Sequence, residues 1–264
     1  MTILHPNQPF PDPFPKGAVL LVDKPLGWTS FDVVNKVRYH LSKRLGVKRV
    51  KIGHAGTLDP LATGLLILCV GDYTKRIEEF QDMPKVYTGV FTFGATTPSY
   101  DREKAVDAEF ETSHLTNEAL QAALPAFIGD IAQIPPVFSA VKVEGKRLYK
   151  NARSGAEVDI QPRTVQISHL TLGPLFPVPE QVSESENINA KGVPIMLFPD
   201  YPGGVQAEFE VHCGKGTYIR SLAYDLGRAL GTGAYLSSLR RTETGGFSVA
   251  GAWALDALVD WARG

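Results

Sequence analysis

Asp59 lies among turn-forming residues in "GHAGTLDPLATG" (Gly53 to Gly64), directly ahead of the apolar run "LLILCV". A lone carboxylate before proline is ordinarily a turn residue, and taken by itself Asp59 reads that way. Arg220 is a second residue of interest. "TYIRSLAYDLGRALG" predicts a helix with Ile219, Leu222, Ala223, Leu226 and Leu230 on its apolar face and Gly231 at its end. Arg220 falls in the first turn, off that stripe, where a cation opposes the helix dipole at a cost of ~0.3–1 kcal/mol. Such a placement makes sense where a carboxylate or phosphate faces it; an exposed arginine that tolerates the penalty is the alternative. A cation paired with Asp59 would keep it ionised and fixed, as a nucleophile requires. Tyr87 sits in a predicted strand with aromatics at alternate positions, open to a core role or to stacking on an unpaired base. His54, alone, is a turn residue.

Several chemistries find no support. An aspartyl-phosphate enzyme wants a second Asp two residues on, and Leu61 stands there. "CGKGT" at Cys213 to Thr217 lacks the first glycine of a phosphate-binding loop, and no GxSxG is present. Cys69 and Cys213 form no CxxC, and the six histidines form no HxxxH or HExxH. These features predict a reducing compartment, a buried free Cys69 and no structural metal. No apolar run approaches the ~20 residues of a membrane span.

The net charge of −1 hides a segregation. From Val33 to Leu58 there are seven Lys/Arg and no acid, and "VKVEGKRLYKNAR" carries Lys142, Lys146, Arg147, Lys150 and Arg153 against Glu144. Acids gather in "DREKAVDAEFE" and "PEQVSESE". A positive face on a near-neutral protein is one outcome; ordinary solvated surfaces are the other.

The elements that must position these residues alternate irregularly. Ala18 to Val22 and Leu65 to Val70 read as buried strands, and "KVYTGVFTFGATT" and "VQAEFEVHC" as alternating ones. Ser30 is the expected N-cap of a helix with Val34, Val37, Leu41 and Leu45 inward and Gly46 as its stop. "DYTKRIEEFQ" reads as a short helix. Thr116 caps another, with Ala119, Leu120, Ala123, Leu124 and Phe127 inward. "FSAVKVEGKRLY" is a hairpin with Glu144-Gly145 at its tip. Five prolines between Pro6 and Pro15 favour an extended arm over residues 1–16, and 173–204 reads as a long surface excursion. The fold class is α/β of the α+β kind: a mixed, largely antiparallel central sheet with flanking helices.

Six blocks, taken together, resemble the TruB-type tRNA pseudouridine synthases. They are "LLVDKPLGWTS", "GHAGTLDPLATGLLILCVGDYTK", "KVYTGVFTFGATTPSYD", "GDIAQIPPVFSAVKVEGKRLYKNARSG", "VHCGKGTYIRSLAYDLG" and "LSSLRR", in the family's order over most of Gly17 to Arg241. The resemblance implies the pseudouridine synthase fold over 17–264 and isomerisation of the uridine at tRNA position 55, in the T loop, by base flipping. It implies Asp59 as the catalytic aspartate, Arg220 as its partner and Tyr87 as the residue that stacks on the target base. It implies His54 beside the flipped nucleotides, Tyr218 and Leu239 lining the uracil pocket, and Lys24 with Pro25 packed beneath the site. The stretch from about 130 to 156 corresponds to an RNA-gripping loop, which assigns Lys142, Lys146, Arg147 and Arg153 to the RNA backbone.

The reaction so implied needs no cofactor. Expected partners are tRNA alone, with no membrane and no obligatory protein; the expected state is a cytoplasmic monomer. Only 23 residues follow Arg241, so a full C-terminal RNA-binding domain is not expected. Ala55 stands where many relatives have Thr. Two other readings stay open: an RNA-binding or tRNA-folding module with secondary catalysis, and a guide-dependent rRNA pseudouridine synthase subunit.

Overall fold

The computed structural model describes residues 1–136, 160–179 and 188–264, and the backbone of 142–143 and 146–147. In chain order the strands are β1 (Ile3–Leu4), β2 (Gly17–Lys24), β3 (Ile52–Ala55), β4 (Ala62–Gly71), β5 (Lys85–Phe93), β6 (Ala95–Thr96), β7 (Ala108–Glu109) and β8 (Gly129–Gln133). They continue with β9 (Lys142–Val143), β10 (Lys146–Arg147), β11 (Arg163–Leu172), β12 (Phe176–Pro177), β13 (Val205–Cys213), β14 (Ala234–Thr244), β15 (Phe247–Ser248) and β16 (Trp253–Ala254). The helices are α1 (Ser30–Arg44), α2 (Ile77–Asp82), α3 (Asn117–Ala123), α4 (Ile219–Ala229) and α5 (Leu255–Arg263). The mixed α/β class, with mostly antiparallel pairing, is as the sequence predicts. Among the described residues no helix is long and apolar enough to cross a membrane.

The chain forms two compact units, the first comprising Met1–Tyr87, Glu184–Ile195 and Leu239–Gly264. There β2 pairs antiparallel with β4 in unbroken register from Gly17↔Gly71 to Lys24↔Gly64. Strand β14 lies parallel to β4, with Leu239 opposite Ala62 and Arg241 opposite Gly64. Both faces of the β2–β4 pair are covered. Leu20, Val22, Leu66 and Leu68 pack with Val33, Val37 and Leu41 of α1 and Leu258 and Ala262 of α5. Val19, Leu21, Leu65, Ile67 and Cys69 pack with Phe80 of α2 on the other side. Two-sided burial is why these strands read as continuous apolar runs and not as alternating ones.

The cap of α1 is Thr29, one residue before the expected Ser30. The Thr29 hydroxyl accepts from Asp32 N at 3.0 Å, and the Asp32 carboxylate accepts from Thr29 N at 3.1 Å. This reciprocal box satisfies two orphan donors, and it leaves Ser30 free to bond elsewhere. The proline-rich arm is packed in this unit: β1 joins β2 in parallel, Trp253 Nε1 donates to Leu4 O, and Phe10 lies 4.8 Å from the Trp261 ring.

The second unit comprises Thr88–Ser183 and Met196–Ser238. Strand β11 pairs antiparallel with both β8 and β13, and Phe91 of β5 stacks on Phe209 of β13 at 4.0 Å. Helix α4 buries Ile219, Leu222, Ala223 and Leu226, the predicted stripe. Helix α3 is capped by Thr116 as expected but stops at Ala123, because Pro125 converts the next turn to a 3₁₀ helix. Strands β9 and β10 pair antiparallel as the hairpin reading requires; its tip, Glu144-Gly145, lies outside the described residues. So do 180–187 of the 173–204 excursion. Its middle part, 188–195, belongs to the first unit, where Ile195 fills the space that a Cβ on Gly27 would need, and 196–204 belongs to the second.

Candidate active site

In the first unit, Asp59 stands on the turn between β3 and β4, half-buried, and the carbonyls of Gly56, Leu58, Asp59 and Pro60 in that turn all accept hydrogen bonds. Ser30, freed from capping, accepts from Leu58 N at 2.9 Å and donates to Leu58 O at 3.3 Å. Gly27 N donates to Pro60 O at 2.8 Å, and Ala62 N to Asp59 O at 3.1 Å. Leu58 itself is buried, so the turn is pinned by an apolar side chain as well.

Lys24, at the end of β2, is fully buried beneath this turn. Its Nζ donates to Pro25 O at 3.0 Å, Trp28 O at 2.6 Å and Pro60 O at 3.4 Å. Burial pulls its ammonium down to about 7; the Asp59 charge is the largest influence raising it, and the Arg241 charge pushes it lower. A second buried cation, Arg241, donates through Nε to Leu65 O at 2.7 Å and through Nη2 to Gly56 O at 3.1 Å. Arg240, beside it on β14, pairs with Asp23 at 2.6 Å.

His54 of β3 is half-buried, and its Nδ1 is buried without a hydrogen-bond partner among the described residues. Burial, with the Arg241 charge, holds its imidazole below the usual histidine range, toward the neutral form. Leu239 of β14 is half-buried beside Ala62, and its carbonyl accepts from Thr63 Oγ1 at 3.4 Å. Tyr87 of β5 is also half-buried, although Phe91 and Phe93 on the same strand face are fully buried. Tyr87 therefore leaves the core pattern that its neighbours follow.

In the second unit, Arg220 occupies the first turn of α4 with 4% exposure. The exposed-arginine alternative is thereby excluded. An anion does face it: Nη1 lies 3.5 Å from Asp101 Oδ2 and donates to Ser99 O at 3.2 Å. The Asp101 carboxylate also accepts from Ser99 Oγ at 2.6 Å and Glu103 N at 2.9 Å, which fixes it. Tyr218, the N-cap residue, is half-buried and held by Gln133: its N–H donates to Oε1 at 2.7 Å and its carbonyl accepts from Nε2 at 3.0 Å.

The structure thus gathers Lys24, His54, Asp59 and Leu239 around one turn. Tyr87 belongs to the same unit, and Arg220 and Tyr218 to the other. The side chains of Lys142, Lys146 and Arg147, and all of Arg153, lie outside the described residues. Sequence reasoning missed Ser30 as an anchor, Arg241, Asp101 and Gln133. Each sits inside a motif block, but the signal is only that position, since their partners are remote in the chain.

Residues 43–219 match the model of the TruB family pseudouridylate synthase N-terminal domain, and 220–263 match the tRNA pseudouridylate synthase B C-terminal domain. A protein named tRNA pseudouridine synthase B from Phocaeicola vulgatus is 46% identical over 248 residues, covering 94% of each chain. One of the same name from Parabacteroides distasonis is 49% identical over 232 residues, 88% of this chain and 87% of that one. The Flavobacterium johnsoniae protein of that name is 44% identical over 240 residues, 90% of this chain and 93% of its own. Among solved structures, a chain in a Cbf5-Nop10-Gar1 complex superimposes with a TM-score of 0.60 at 26% identity. The match covers 93% of the present chain and 54% of that longer one.

Proposed function

We propose, for a chain that belongs to the TruB family of pseudouridylate synthases, that this protein is a tRNA pseudouridine synthase acting on the uridine at position 55 of the T loop. Near-full-length identity to three proteins named tRNA pseudouridine synthase B supports the activity. The reaction is an isomerisation. The bond from the ribose C1′ to the uracil N1 breaks, the base turns, and C1′ bonds to the former C5. One proton leaves that carbon and one is taken up by the freed nitrogen, so the step is redox-neutral. The target base must first leave its stack, at a cost of a few kcal/mol.

The observation that carries the reading is the mooring of the Asp59 turn by Lys24, Ser30 and Arg241. A carboxylate that must meet a reacting atom needs a fixed backbone, and nothing else in a surface turn calls for two buried cations. We assign Asp59 as the catalytic carboxylate, Arg220 as the arginine that serves it and Tyr87 as the ring stacked on the flipped base. His54, Tyr218 and Leu239 shape the pocket. Lys24 holds the turn from below, and Lys142, Lys146, Arg147 and Arg153 contact phosphates. The protein works on its own, as a monomer in the cytoplasm.

Tritium release from a tRNA transcript carrying 5-tritiated uridine tests this. The purified chain should release one equivalent per tRNA, and a transcript with cytidine at position 55 should release none. Asp59→Asn should lose at least ~10³-fold in rate while still binding tRNA. Full activity in that variant would remove Asp59 from the chemistry. A wild type that binds but never releases tritium would instead mark a binding module, and one that needs a guide RNA would mark the guide-dependent branch.

A further inference from the structure

We infer that Arg241 is a positioning residue for the isomerisation, its guanidinium tying the start of the Asp59 turn to the strand that follows it. This rests on the functional reading above and adds a residue to it. The turn that holds Asp59 begins at Gly56 and leads into β4 at Ala62, and Arg241 bridges the two: Nη2 at Gly56 O, 3.1 Å, and Nε at Leu65 O in β4, 2.7 Å. A planar guanidinium can span two separated acceptors in fixed directions, which an ammonium cannot.

Gly56 at the start of the turn and Gly64 in β4 both lie against this one residue. Gly56 has φ +85°, and a Cβ there would sit 3.3 Å from Arg241 Nη1. Gly64 has φ +100°, and a Cβ there would sit 2.2 Å from Arg241 O. The side chain of Arg241 fits against the first glycine and its backbone against the second.

The chemistry of the clamp also argues for function. Arg241 is 1% exposed, and among the described residues no carboxylate pairs with it; it donates to two backbone carbonyls. A guanidinium buried without a counter-charge is a costly way to hold a turn, where an apolar side chain packs more cheaply. Lys24 lies within electrostatic range of both Arg241 and Asp59, so the clamp adds positive charge to the surroundings of the catalytic carboxylate. A core staple has no use for that charge.

The experiment compares wild type, Arg241→Lys, Arg241→Met and a core control, Leu258→Ala, in single-turnover and steady-state isomerisation of tRNA. Arg241→Lys should lose ~10²-fold in kcat with KM for tRNA changed less than threefold, because a turn displaced by about 1 Å misplaces its carboxylate without weakening RNA contacts. Leu258→Ala should lower the melting temperature by as much or more with kcat unchanged well below it. Arg241→Met should be slower still; should it fail to fold, Arg241→Lys and rescue of Arg241→Ala by millimolar guanidinium decide. A Lys variant with wild-type kcat and a lowered melting temperature would overturn the proposal and make Arg241 a staple. An inactive wild type would overturn the functional reading, and this inference with it.

Discussion

The two units bury cations in opposite ways. In the second, Arg220 faces the Asp101 carboxylate, itself tied by Ser99 and Glu103, so charge is matched by charge. In the first, among the described residues, Lys24 and Arg241 make five hydrogen bonds, all to backbone carbonyls, with Asp59 as the nearby anion. Matched charge holds the guanidinium in a fixed orientation. Carbonyl-bound charge leaves positive potential near Asp59, the carboxylate proposed above for the chemistry. Burial alone does not say what field a cation leaves around it; what it is paired with does.

The sharpest way to break this comparison is to remove one partner on each side. Asp101→Ala removes the carboxylate that faces a buried guanidinium and should cost about 3–5 kcal/mol of unfolding free energy. Lys24→Met leaves carbonyls unsatisfied but also removes a desolvated charge, so its loss should be smaller, about 1–3 kcal/mol. Urea denaturation of both variants checks the order. A Lys24→Met loss as large as that of Asp101→Ala would mean that carbonyl ligation is worth a full ion pair.

A pH series sharpens it further. The Lys24 ammonium is pulled down to about 7 in the folded protein, against ~10.4 in an unfolded chain. Between those values the unfolded chain binds more protons at this residue, so stability rises with pH there. Below about 7 both states carry the charge, and the burial penalty is present in full. Wild type should therefore gain on Lys24→Met as pH goes from 7 to 9.5, read as urea midpoints. A flat difference would show that the three carbonyl bonds keep Lys24 protonated throughout that range.

The smallest effect is expected at Tyr100, which precedes Asp101. It adopts φ +60°, a conformation costly for an L-residue, and its ring stacks on Tyr224 at 4.2 Å. Tyr100→Gly should relieve ~1–2 kcal/mol of backbone strain and lose ~0.5–1.5 kcal/mol of stacking, for a net change within about 1 kcal/mol. A large loss in thermal unfolding would make the stacked pair a principal support of the Asp101–Arg220 pairing.

Much of this was legible in the chain. The strand and helix periods over β2, β4, β13 and α4 were readable because apolar spacing is a local property. Arg220 was singled out because a cation in a first helical turn is electrostatically odd, and an anion does face it. Tyr87 reads from the sequence as either a core ring or one that stacks on an unpaired base, and its half-buried position sets it apart from the buried Phe91 and Phe93. The capping residue was missed by one position, since Thr29 and Ser30 are both competent and only the closing of the box on Asp32 chooses between them.

By itself the sequence determined the family, the fold class and a short set of chemical residues, because ordered motifs and local periodicity survive without coordinates. The tertiary structure decided how those residues are held. The bonds that moor the Asp59 turn join positions 28, 36, 176 and 185 residues apart, and the carbonyl that receives Arg220 is 121 residues away. No spacing rule reaches that far. Which arginine is buried, and against what, is set by the packing of strands that only folding brings together.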